Sequence, residues 1–134
     1  MKDHQPNAVA QLADFLAAQK DIRLGLLFGS LASGKAGQDS DVDIAILCDH
    51  PLNVERRIEL IEDLACLTGR AVDLVDLATA GIAVVRSAVL GGRVLYSRDS
   101  AAYPTQITRM LLDSADFLPY RERLLRQRLN AWIR

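Results

Sequence analysis

The chain has 134 residues, half of them apolar, and a formal net charge of −1. That is one domain's length with material for one core. It excludes a chain that binds nucleic acid or an anionic membrane through its overall charge. The most apolar run, from Ala80 to Gly92, is interrupted by Arg86 and is too short to span a bilayer.

The opening residues MKDHQPNAVAQ contain no apolar signal segment, and Cys48 and Cys66 have no metal-ligand or CxxC spacing. Both cysteines read as small buried hydrophobes, and the whole as a cytoplasmic protein. Charge is unevenly distributed. Arg121, Arg123, Arg126, Arg128 and Arg134 against Glu122 give the last fifteen residues +4, leaving −5 on the rest, which suits a body that binds cations.

In chain order, Pro6 to Lys20 places Val9, Leu12, Ala13, Phe15 and Leu16 on a helical stripe. IRLGLLF, residues 22–28, is a short apolar run between turn signals and predicts a strand; 30–40 predicts a loop. DVDIAILC, 41–48, predicts the second strand. Residues 53–68 form an amphipathic helix with Val54, Ile58, Ile61, Leu64 and Ala65 on its apolar side and Gly69 as its stop. AVDLVDL, 71–77, is a third strand, 79–90 a helix ending at Gly91-Gly92, and RVLY, 93–96, a fourth strand. Residues 105–133 predict helix broken near Pro119, with a stripe at Ile107, Leu111, Leu118, Leu125, Leu129 and Trp132. The order α-β-β-α-β-α-β-α makes 1–134 one α/β (α+β) domain. It has a small mixed sheet with flanking helices, a core over about 6–97, and C-terminal helices over 99–134 suited to partner docking.

The stretch FGSLASGKAGQDSDVDIAIL, 28–47, puts two carboxylates at the start of an apolar strand. Strand side chains alternate, so Asp41 and Asp43 share a face, roughly 6.5–7 Å apart at the backbone. Two like charges that close need a cation between them, and no lysine or arginine adjoins them. Mg²⁺ suits such hard oxygen ligands, using one or two carboxylates and completing its octahedron with water and phosphate. Gly29 permits close backbone approach, and Ser30 with free N–H groups at a helical turn can hold phosphate oxygens. Together these describe a site for a metal-bound nucleoside triphosphate.

A third carboxylate would complete it. Asp73 and Asp76 are three apart in a strand and face opposite ways, so at most one belongs. Asp73 lies inside the apolar run, where a carboxylate without a function is expensive; Asp76 stands at the strand's end, where water or the next helix can satisfy it. Asp73 is the choice. His4 and His50 have no triad or ligand spacing and read as surface residues, and Tyr96, Tyr103 and Tyr120 as packing residues.

Gly29-Ser30, ten residues, then Asp41-Val42-Asp43 resembles the signature of the DNA polymerase β-like nucleotidyltransferase superfamily. With SDVDIAIL, AVDLVDL, GGRVLY and DFLPYRERLLRQR, the chain is similar over most of its length to the minimal nucleotidyltransferase antitoxins of HEPN/MNT toxin–antitoxin pairs. The resemblance implies that Asp41, Asp43 and Asp73 are catalytic and hold Mg²⁺ in a two-ion site, and that Gly29 and Ser30 bind the triphosphate of ATP. Asp73 would assist deprotonation of the acceptor. Ser33 stands where many relatives have an arginine or another long side chain, so a triphosphate or acceptor contact is either missing or supplied by Lys35, the loop's only basic residue.

The partner implied is a HEPN-family RNase toxin, a separate chain in a hetero-oligomer, silenced by transfer of AMP to a tyrosine; direct binding of nucleic acid or membrane is not implied. Two rival readings share the core: a small-molecule nucleotidyltransferase of the aminoglycoside-modifying kind, which usually carries a further helical domain, and a weakly catalytic antitoxin that acts by binding.

Overall fold

The computed structural model describes residues 4–29 and 41–112. Their elements are α1 (His4–Ala18), β1 (Ile22–Phe28), β2 (Val42–Cys48), α2 (Val54–Thr68), β3 (Val72–Asp76), α3 (Ile82–Gly91) and β4 (Arg93–Ser97). A last helix, α4, covers 102–112. The strands make one sheet in the order β3-β2-β1-β4. β1 is antiparallel to β2 and β4, whereas β3 is parallel to β2. The parallel step needs a crossover, and α2 supplies it.

Helices cover both faces. Leu12 and Leu16 of α1 and Leu60 and Leu64 of α2 pack with Ile44 and Ile46 on one face. Ala88 and Val89 of α3 and Ala102 and Met110 of α4 pack with Leu24, Leu26 and Leu47 on the other. β2 is therefore apolar on both sides, as an inner strand between two helical layers must be. Each fully buried leucine contributes about 1.5–3 kcal/mol. Among the described residues no helix is long and apolar enough to cross a membrane.

The ends of α2 follow from its sequence. Asn53 caps the start, its Oδ1 accepting from the Arg56 N–H at 2.7 Å. Gly69 closes the end at φ 68°, the left-handed conformation that glycine adopts without a Cβ clash. Arg56 fastens α2 to the α1–β1 turn: it donates to both Asp21 oxygens at 3.0 and 2.8 Å and to Gln19 Oε1 at 3.0 Å, and also pairs with Glu59. At the same end of the sheet Arg98 bridges to Asp49 at 2.5 Å.

Several expectations need correction. On α2 the expected Leu64 is buried with Leu60 and the expected Ile61 packs against the core, but Val54 and Ile58 are exposed, because the helix is rotated to bring Arg56 to the α1–β1 turn and Arg57 to β3. Cys48 is buried, with its thiol pushed up to about 12 mainly by burial, but Cys66 is exposed on the outer side of α2. α3 begins at Ile82, not at 79, since a turn held by Asp76 occupies the intervening residues. α4 begins at 102, three residues earlier than the stripe suggests. The break near Pro119, Tyr120, Trp132 and the C-terminal arginines lie outside the described residues.

Candidate active site at the Asp43 end of the sheet

β1 ends, and β2 and β3 begin, at the same end of the sheet. Phe28 pairs with Asp43 across β1 and β2, and Asp43 pairs with Asp73 across β2 and β3. Adjacent strands lie about 4.8 Å apart, so the two aspartates are neighbours. Asp43 alternates with Ala45 and Leu47, and Asp73 with Val75, which places both on the α3/α4 face. Asp41 stands exposed one residue before β2, whose first N–H, that of Val42, donates to Ala71 O at 2.9 Å.

The electrostatics follow from this crowding. Asp43 is half-buried, and burial, then the charges of Asp73 and Asp41, push its carboxyl above the usual range. Among the described residues the carboxylate has no cation beside it that counters this. Gly29 adds a steric constraint. Its φ is 77°, and a Cβ there would fall on Asp43 Oδ2 and within 3.0 Å of its Cγ. The first residue of the turn must be glycine both for its own backbone and to leave room for that carboxylate.

The expected residues are thus brought together in part. Gly29, Asp41, Asp43 and Asp73 converge at one sheet end. Ser30 and Lys35 lie outside the described residues. Asp73 is not enclosed in the apolar run as expected: it is exposed on the edge strand and carries no burial cost. Its register opposite Asp43 is the observation that matters. Asp76, expected to be satisfied by water or by the next helix, is 3% exposed on the opposite face. Its Oδ2 accepts from Leu52 N–H at 2.9 Å, its Oδ1 from Ala78 N–H at 3.0 Å, and its carbonyl from the N–H groups of Thr79 and Ala80. It ties two loops to the end of β3 and has no part in the carboxylate group. Phe28 is the cross-strand partner of Asp43, a relationship that only the pairing register identifies.

Among the described residues no three His, Cys, Asp or Glu side chains close into a metal cage. Mg²⁺ does not need one, since it is held by one or two carboxylates with water and phosphate making up the rest. The donor set fits an open site of that kind: hard oxygens, mutually repelling, on the lip of a sheet beside a glycine turn.

The polymerase β nucleotidyltransferase family matches residues 10–101. Protein adenylyltransferase MntA of Shewanella oneidensis is 37% identical over 75 residues, 56% of this chain and 54% of that protein, so the matched stretch spans about half the relative's length. A toxin–antitoxin crystal structure with AMP-PNP superposes with a TM-score of 0.74 at 25% identity, covering 92% of this chain and 97% of the other. The MNT antitoxin complex with tri-AMPylated HEPN toxin from Shewanella oneidensis superposes at 0.73, with 23% identity over 93% and 98% of the two chains, and shares the fold. With the family matched across the sheet and its carboxylates, this chain belongs to the polymerase β-type nucleotidyltransferases.

Proposed function

We propose that this chain transfers AMP from Mg²⁺-bound ATP to a tyrosine hydroxyl of a separate HEPN-type RNase and so serves as its antitoxin. The observation that carries the reading is the register pairing of Asp43 with Asp73, with Asp41 close enough to raise the Asp43 carboxyl and Gly29 packed against it. The relatives named above supply the class of acceptor: one is a protein adenylyltransferase, another an antitoxin beside an AMPylated toxin.

Asp41, Asp43 and Asp73 would hold the metal, which would offset their repulsion and neutralise charge on the phosphates. Gly29, with Ser30 and Lys35 in the loop that follows, would hold the triphosphate where the backbone can approach closely. The acceptor oxygen bonds to the α-phosphorus as the α–β bridging bond breaks, and pyrophosphate leaves. A tyrosine hydroxyl with an ordinary pKa near 10 must lose its proton for this. Asp73, the exposed member of the register pair, would receive that proton from an acceptor arriving from solvent. The chemistry then depends on positioning and charge neutralisation, without a protein nucleophile.

The test is intact-mass analysis of a co-expressed HEPN partner after incubation with ATP and Mg²⁺. A gain of one or more AMP masses supports the reading. A silenced partner of unchanged mass in a stable complex would make the chain an antitoxin that acts by binding. An unmodified partner that forms no complex would point to a small-molecule acceptor.

A further inference from the structure

A second site lies at the other end of β3, four residue steps or roughly 13 Å from Asp73. There the turn after β3 and the start of α3 meet α4 around a cavity of about 40 Å³, lined by Leu77, Ile82, Val85, Met110, Gln106 and Arg109. It admits one small polar group and is far too small for a nucleotide.

Three features of its wall point to an anion. The first backbone bond of α3 is Val85 N–H to Gly81 O, so the N–H groups of Ile82, Ala83 and Val84 have no helical acceptor, and Gly81 offers no side chain to cap them. Their partial positive charge lies at the end of α3 whose Ile82 lines the cavity. Arg109 adds a full charge at the rim and has no ion-pair or hydrogen-bond partner among the described residues.

The third feature is independent of the helix end. α4 buries Ala102, Gln106 and Met110, so a glutamine occupies the middle of an otherwise apolar stripe. Gln106 is 2% exposed and its amide has no hydrogen-bond partner among the described residues. Yet no sealed, unpartnered side-chain nitrogen or oxygen exists among them. The Gln106 amide is therefore not sealed, and it lines the cavity. A buried amide left open to a cavity is costly unless something enters to bond it.

We propose that this cavity is a socket for the carboxylate of an acidic side chain on a partner protein. A carboxylate accepts from the helix N–H groups, the Gln106 amide and the Arg109 guanidinium at once. The source is a protein because the lining around the polar groups is apolar: Leu77, Ile82, Val85 and Met110, with Ile82 44% exposed, a surface that suits an acidic residue with apolar neighbours. The site is separate from the carboxylate end of the sheet and does not depend on AMP transfer.

The test uses the ¹⁵N-labelled full chain titrated with the capped tripeptides acetyl-Leu-Glu-Leu-amide and acetyl-Leu-Gln-Leu-amide, and with glutarate. The glutamate peptide is expected to shift the Gln106 side-chain amide and Ile82 N–H signals saturably, and the glutamine peptide to leave them unmoved. Arg109→Ala, at an exposed position, should weaken the response about tenfold, the loss of one charge-assisted hydrogen bond. Gln106→Leu should weaken it while leaving the remaining spectrum intact. Equal shifts with both peptides, or none with the glutamate peptide, would overturn the proposal. Glutarate binding more tightly than the glutamate peptide would overturn the protein source.

Discussion

Asp43 and Asp73 are register partners across the only parallel pair of strands among the described residues, each the second residue of its strand, and Asp43 adjoins the Gly29 turn. Two carboxylates from separate strands, brought together by register, form a charge concentration that the fold tolerates at its edge.

That tolerance has a sign. Burial and the charges of Asp73 and Asp41 raise the Asp43 carboxyl above its unfolded value, so the group favours folding below the unfolded pKa and loses that contribution as pH rises through the folded one. Without metal, Asp43→Asn should therefore raise the melting temperature at pH 7, and the gain should vanish when the pH falls below about 4. Mg²⁺ should stabilise the wild-type chain at pH 7 and stabilise Asp43→Asn much less. Thermal melts at the two pH values with and without Mg²⁺ check both statements.

Gly29→Ala is expected to abolish nucleotidyl transfer at least about a hundredfold. The added methyl would fall on Asp43 Oδ2, and a 1 Å displacement of a reacting group can cost that much. The left-handed φ of 77° adds about 1–2 kcal/mol of backbone strain. A melt that stays cooperative beside a lost rate separates displacement from unfolding.

Asp76 and Asp73 should divide stability from activity. Asp76→Ala leaves the N–H groups of Leu52 and Ala78 without their acceptor, at about 1–3 kcal/mol each. Asp73→Ala removes an exposed carboxylate and should change stability by less than about 0.5 kcal/mol. Urea denaturation should show the first as a large loss and the second as almost none, while transfer assays show Asp73→Ala inactive under conditions where Asp76→Ala remains folded.

The Arg56 fork gives an opposite pH signature. Its hydrogen bonds hold the Asp21 carboxyl below the usual carboxylate range, against an opposing burial effect. A lowered folded value contributes stability above the unfolded pKa, which is lost as pH falls through the folded one. Since Asp21 is 42% exposed, the pair is worth only about 1 kcal/mol after solvent screening. Arg56→Met should lower stability at pH 7 and lose less on acidification than the wild type, as followed by urea midpoints from pH 7 to 3.

Much of this was legible in the sequence because local rules and tertiary demands agree. Asn53 and Gly69 bracket α2, and the apolar runs 22–28 and 42–48 sit where an inner strand needs two covered faces. Asp41 and Asp43 stood out because charge at the start of such a strand conflicts with its surroundings. The failures share a cause: each depended on a contact distant in sequence. Asp76 is buried because Leu52, 24 residues earlier, donates to it, and no local pattern encodes that bond. The rotation of α2 is set by Arg56 reaching Asp21, 35 residues away, which left Val54 and Ile58 outward although their spacing reads as apolar face. Asp73 reads as buried from its apolar neighbours yet is exposed; strand register, invisible in one sequence, is what puts it opposite Asp43.

The most direct measurement is the mass of a co-expressed HEPN-type partner after incubation with ATP and Mg²⁺, using the wild-type chain and the Asp41→Asn/Asp43→Asn double variant. One or more added AMP masses are expected with the wild type and none with the double variant, both forms remaining folded and bound to the partner. Full modification by the double variant would contradict the assignment of the carboxylates, and an unmodified partner with the wild-type chain would contradict protein AMP transfer itself.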